Sequence, residues 1–146
     1  MHPVTVKTPR QRPQFRNIHV FDLRHYRLPA AGLVSILHRV SGALMFLLLP
    51  FVLWMFDTSL SSEISYESFT SAFVAGIGIL PGWLIRLVAL ALIWSYLHHL
   101  IAGIRHLWMD VTHSVSVDAG AKSAKLTLGL SVVLTVALGL KLFGLY

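Results

Sequence analysis

The sequence predicts an all-α integral membrane protein of three transmembrane helices. Three observations carry that expectation. Of 146 residues, 55% are hydrophobic and only 12% charged; the mean hydropathy is +0.71; and the apolar residues gather into three long runs. An ordinary soluble domain carries about 25% charged residues. A run of roughly 20 apolar residues is enough to cross the ~30 Å hydrocarbon core, and three such runs leave no room for a separate soluble catalytic domain. The formal charge is +6, from 12 Lys and Arg against 6 Asp and Glu. A nucleic-acid binder spreads such an excess over a solvated face. Here half of the basic residues fall in the first 31 positions, so the excess reads as membrane topology and no nucleic-acid partner is expected. Cysteine is absent, which excludes a disulfide framework, iron–sulfur ligation by this chain and a thiol nucleophile.

Residues 1–31 form a basic tail. Lys7, Arg10, Arg12, Arg16, Arg24 and Arg27 alternate with Pro3, Pro9, Pro13 and Pro29, without a sustained apolar period, so the tail belongs at a surface. No short apolar core with a cleavage site follows its early charges, so a cleaved secretory signal is not expected. The three-helix domain spans residues 32–146. Its first helix is placed at about 32–56, uncharged from Val40 to Phe56 and kinked at Pro50. The stretch 57–81 holds Asp57, Glu63, Glu67 and several serines but no Lys or Arg; it reads as a solvated loop with room for a short interfacial helix. The second helix, about 82–109, carries Arg86, Trp94, Tyr96, His98, His99, Arg105 and His106, a heavy polar load for a span. A loop with Asp110, His113, Asp118 and Lys122 then leads to the third helix, about 123–145, whose Lys125 and Lys141 snorkel from its ends. Basic residues fill the tail, skip the first loop and return as Lys122 and Lys125, so the N-terminus is expected in the cytoplasm and the C-terminus outside.

That topology brings the entrance of helix one and the exit of helix two to the same side of the bilayer. Ser35, His38 and Arg39 follow i, i+3 and i+4 on helix one, and His99, Gly103, His106 and Asp110 line one face of helix two. An ionisable group at the centre of a span costs about 2.5 kcal/mol or more, so a functional explanation is the default. His99 lies roughly 16 Å from Asp110 along the helix axis and needs a hydrogen-bond partner or a metal there. Two readings stay open. His99 ligates haem iron, with Gly103 leaving space for a flat macrocycle, or it is a packing histidine satisfied by a hydrogen bond. His98 is rotated by about 100° from it and reads as a helix-contact histidine. Arg86 reads as a snorkelling residue, and Arg105 as either a topology anchor or a ligand contact. His38 sits about 9 Å in from the start of its helix and His99 about 15 Å in from the end of its own. This offset argues against an intrachain pair of axial ligands, so a haem would draw its second ligand from another polypeptide. His38 and Arg39 then suit the anionic propionates. Ser35 beside Arg39 suits a quinone head group, whose two oxygens accept hydrogen bonds and take up protons on reduction. The same residues also suit a plain helix start and headgroup anchor.

The string Ser35-Ile36-Leu37-His38-Arg39-Val40-Ser41-Gly42, followed by His99-x-x-x-Gly103-Ile104-Arg105-His106-x-x-x-Asp110, resembles the cytochrome b (b556-type) membrane-anchor subunits of succinate dehydrogenase, respiratory complex II. The resemblance runs from Arg12-Pro13 to the C-terminus and includes three spans in the same order. It implies a bacterial inner-membrane, multi-pass subunit in the bilayer, beside a second small anchor, an iron–sulfur subunit and a flavoprotein subunit that oxidises succinate. It further implies haem b with His99 as an axial ligand and the other axial histidine on the second anchor. Ser35 and Arg39 would contact ubiquinone, His38 and Arg39 would lie by the propionates, and His106 and Asp110 would belong to the haem-side or quinone-side environment. The anchor of a fumarate reductase and a non-redox three-helix assembly protein are the competing expectations; the second of these would bind no haem and tolerate His99→Ala.

Overall fold

The structure is a computed structural model that describes residues 21, 25–114 and 116–145. Most of the basic tail, with Arg12, Pro13 and Arg24, therefore lies outside the described residues. The rest folds into five helices: α1 (Ala30–Leu47), α2 (Leu49–Leu60), α3 (Glu63–Ala72), α4 (Gly82–Thr112) and α5 (Val117–Leu142). Three of them, α1, α4 and α5, are long and apolar enough to cross a bilayer.

The first span differs from a single kinked helix. Pro50 has no N–H to give to the helix ladder, and its ring collides with the carbonyl four residues back. The helix therefore ends at Leu47, turns at Leu48 (φ −87°, ψ 3°) and restarts as α2 with Pro50 in its first turn, where the missing N–H costs nothing. The following segment is ordered by its own serines. The Ser62 hydroxyl accepts from the Ser65 N–H at 3.1 Å while the Ser65 hydroxyl accepts from the Ser62 N–H at 2.9 Å, a reciprocal cap that starts α3. The chain then turns tightly into α4. A side chain at Gly82 would meet the Val74 and Phe73 carbonyl oxygens at 2.5 and 2.8 Å, so glycine is required there.

The third span starts earlier than the sequence suggests. Ser116 caps α5 by accepting the Ala119 N–H at 3.3 Å, and Asp118 stands in the first turn, where a carboxylate is favoured by the helix dipole. Of the polar residues that read as a loop, Asp118 and Lys122 thus lie in the first turns of α5, Asp110 in the last turn of α4 and His113 at its cap. α4 ends at Thr112, with His113 in the left-handed region (φ 51°) closing it.

α4 packs on both α1 and α5, and α1 also meets α5. The centre of the bundle is Val34, Ala102 and Ala124, flanked by Ala30, Ala31 and Leu128. Ala89, Ser95, Ser131 and Gly139 are buried too, while Phe46, Leu47, Leu53, Trp83 and Val133 point outward. This inverts the soluble pattern for a physical reason. Lipid tails are as apolar as leucine, so helices associate through close approach of small residues and through hydrogen bonds rather than by hiding large side chains. Arg105 shows the second device. It is buried, and its Nε donates to Ser123 Oγ at 3.0 Å and its terminal NH2 group to the Gly120 carbonyl at 3.2 Å, tying the end of α4 to the start of α5. Arg105 thus fastens α4 to α5.

Candidate histidine site between the first and second spans

The face of α4 that carries His99, Gly103 and His106 meets the face of α1 that carries His38, Ser41 and Gly42. The rings of His38 and His99 stack with centroids 4.1 Å apart and planes 22° from parallel. His106 leans on the other side of this pair, its centroid 5.4 Å from that of His38. The three imidazoles form one contiguous cluster. His38 and His99 thus lie at one level, not a turn apart. Depth counted from helix ends misleads here because the two ends are not level: His38 lies eight residues in from Ala30 and His99 thirteen in from Thr112, so the end of α4 reaches past the start of α1.

Helix periodicity alone brings these side chains to the seam, but a main-chain group orients His99. His99 Nδ1 is 3.0 Å from the His38 carbonyl oxygen and 3.3 Å from Ser41 Oγ. A carbonyl can only accept, so Nδ1 carries a proton, and in the uncharged ring the lone pair then lies on Nε2. Among the described residues nothing hydrogen-bonds Nε2. Gly42 presses the same ring from the side. A Cβ there would come within 3.0 Å of His99 Cε1, tighter than ordinary carbon contacts. Together these neighbours hold the ring at a set angle with Nδ1 engaged and Nε2 free of hydrogen bonds among the described residues, the arrangement a metal-ligating histidine takes in proteins.

The donor set fits haem through His99 and not through a His38–His99 pair. An iron between two axial imidazoles stands end-on to both, whereas His38 and His99 lie face to face at van der Waals distance, so His38 is not placed to share an iron with His99. The space over Gly103 is also narrower than its missing side chain suggests, because His38 Nε2 lies 3.8 Å from where a Cβ would stand. Among the described residues, no group of three or more His, Cys, Asp or Glu side chains is arranged to hold a bare metal ion.

The remaining polar residues divide between two walls. Ser35 is half-buried and Arg39 exposed, and neither makes a hydrogen bond among the described residues; both stay available at the mouth of α1. Asp110 is exposed at the end of the same α4 face. His98 turns the other way. It is fully buried, its Nδ1 lies 3.2 Å from Ser131 Oγ of α5, and its ring stacks on Trp94 with centroids 5.6 Å apart. Arg86 places its guanidinium 5.9 Å from the Phe143 ring centre at the opposite end of α4.

Ser41 and Gly42 are the site residues that sequence reasoning did not single out. Their spacing from His38, three and four residues on, was the available signal. Their importance, however, lies in a carbonyl and a close approach, which a side-chain pattern does not display.

Residues 9–138 match the family described as the succinate dehydrogenase/fumarate reductase transmembrane subunit. The succinate dehydrogenase cytochrome b556 subunit of Paracoccus denitrificans is 28% identical over 114 residues, covering 78% of this chain and 82% of that one. The cytochrome b556 subunit of Coxiella burnetii (strain RSA 493 / Nine Mile phase I) is 31% identical over 118 residues, 81% of this chain and 90% of its own length. The cytochrome b560 subunit of Reclinomonas americana is 28% identical over 114 residues, 76% of each chain.

Proposed function

The chain belongs to the succinate dehydrogenase/fumarate reductase transmembrane subunit family, and from that premise we propose that it is the haem b and quinone-binding anchor of a succinate:ubiquinone oxidoreductase. In this role it sits in a bacterial inner membrane with its N-terminus in the cytoplasm, beside a second small anchor, and joins an iron–sulfur and a flavoprotein subunit. Succinate oxidation itself takes place outside this chain. The observation that carries the reading is the His99 imidazole, whose Nδ1 is engaged with the His38 carbonyl at 3.0 Å so that Nε2 is the nitrogen left for a metal.

When bound, haem b supplies a one-electron carrier whose potential depends on its ligands and their hydrogen bonds. This chain's part is to present Nε2 of His99 to the iron and to surround it. The stacked His38 and the adjoining His106 wall that side, and with Arg39 they offer donors to the propionates. A histidine of the other anchor would complete the ligand set of the iron, a reading supported by the face-to-face contact of His38 and His99, which leaves no place for an iron between them. At the entrance of α1, the exposed Arg39 guanidinium and the Ser35 hydroxyl hold and orient the quinone oxygens, Arg39 as a fixed positive donor where negative charge develops.

A reduced-minus-oxidised optical spectrum of the purified complex tests this, wild type beside His99→Ala. The wild type is expected to show a b-type signal that His99→Ala abolishes while the four subunits still co-purify. A haem-free wild-type complex, or an unaltered signal in His99→Ala, overturns the assignment.

A further inference from the structure

The His38 carbonyl is asked to serve more donors than a helix carbonyl normally does. It stands in the α1 ladder, accepts the Ser41 hydroxyl at 2.8 Å and faces His99 Nδ1 at 3.0 Å. Ser41 is fully buried, so its hydroxyl has no water to turn to, and the hydroxyl proton is committed to that carbonyl. The Ser41 oxygen, 3.3 Å from Nδ1, is at most a weak second acceptor for the ring proton. Within this triangle Ser41 and His99 compete for one oxygen.

We propose that Ser41 is a positioning residue that tempers the ligand strength of His99; the proposal rests on the haem reading above. By drawing on the His38 carbonyl, the serine hydroxyl weakens the Nδ1–H···O=C bond. A histidine whose Nδ1 proton is held less tightly is a less basic ligand at Nε2, because hydrogen bonding at one ring nitrogen raises the basicity of the other. A less basic axial ligand favours the ferrous state. Ser41 therefore holds the potential of the iron above the value that the carbonyl alone would set, and it does so without touching the haem.

The test is a redox titration of the haem in the purified complex, with the low-temperature electron paramagnetic resonance spectrum of the ferric form, comparing wild type, Ser41→Ala and Ser41→Cys. Ser41→Ala frees the carbonyl for His99 and is expected to lower the midpoint potential and shift the ferric signal while haem content stays at the wild-type level. Ser41→Cys keeps a side chain in the same space but donates weakly, so it is expected to move the potential in the same direction. A purely structural role predicts that the cysteine variant, which fills the space, behaves as wild type. If Ser41→Ala does not assemble, the cysteine variant decides alone. A potential that is unchanged or raised in the variants, with haem present throughout, overturns the role of Ser41 and leaves the haem assignment standing. A wild-type complex with no haem overturns both.

Discussion

Two glycines flank the histidine cluster, and they are not equivalent. Gly103 has the spacing that draws attention in sequence, yet a Cβ there meets His38 Nε2 at an ordinary 3.8 Å, whereas a Cβ at Gly42 meets His99 Cε1 at 3.0 Å. The His99 ring cannot step aside without giving up the His38 carbonyl. Gly42→Ala is accordingly expected to cost about 1–3 kcal/mol through overpacking and to reduce haem retention in the purified complex. Gly103→Ala should retain haem near the wild-type level; the haem-to-protein ratio of the two variants side by side checks the order. Arg39 makes a different claim. Exposed and free of hydrogen bonds among the described residues, it has little to contribute to folding, so Arg39→Ala should impair quinone reduction while succinate oxidation with an artificial acceptor is retained. Quinone reduction at the wild-type rate would remove Arg39 from the quinone site. At this scale the sequence displayed the side chains at helical spacing, His38, His99 and His106 among them. It could not display the His38 carbonyl, because every residue has one and only the crossing of two helices decides which is used.

The helices were legible where apolar runs are long and illegible where a cap decides. α4 stands out because 31 residues pass without proline or cap between Gly82 and Thr112. The sequence places the start of α5 too late because polar residues in its first two turns resemble a solvated loop; the signal is Ser116 followed by Asp118, a serine cap with an acid in the first turn. Ser116→Ala removes the one side-chain cap of α5 and should cost about 1 kcal/mol, felt locally. Hydrogen exchange at residues 117–120 of the assembled complex is expected to quicken by roughly five-fold, the ratio that energy corresponds to, with α4 unaffected. The break at Leu48 has the opposite origin. Pro50 was visible, but whether a proline bends a helix or divides it depends on what the freed carbonyls meet, which is a tertiary question.

For the whole molecule the surface is as informative as the core. Large apolar side chains from Phe46 to Val133 face outward while alanine, serine and glycine fill the seams, a surface suited to lipid and to another anchor subunit and not to water. Orientation in that bilayer is the one global property that charge alone predicts. Since the chain has no cysteine, single cysteines report it without background. A cysteine at Thr5 should react with an impermeant maleimide from the cytoplasmic side and one at Ser61 from the opposite side; the reverse pattern would invert the proposed topology.

His98 and His99 are neighbours in the chain that answer to different helices, one to Ser131 of α5 and the other to the main chain of α1. Successive residues on a helix are separated by about 100° of rotation, so these two bonds together fix the roll of α4 about its own axis, much as two bolts on different faces stop a shaft from turning. A single-residue insertion or deletion just before His98 would keep the two imidazoles adjacent but turn both by about 100° relative to the preceding part of α4, so either both contacts are lost or that part of the helix must roll instead. The consecutive pair thus ties the angle at which His99 is presented to the packing on the far side of the bundle.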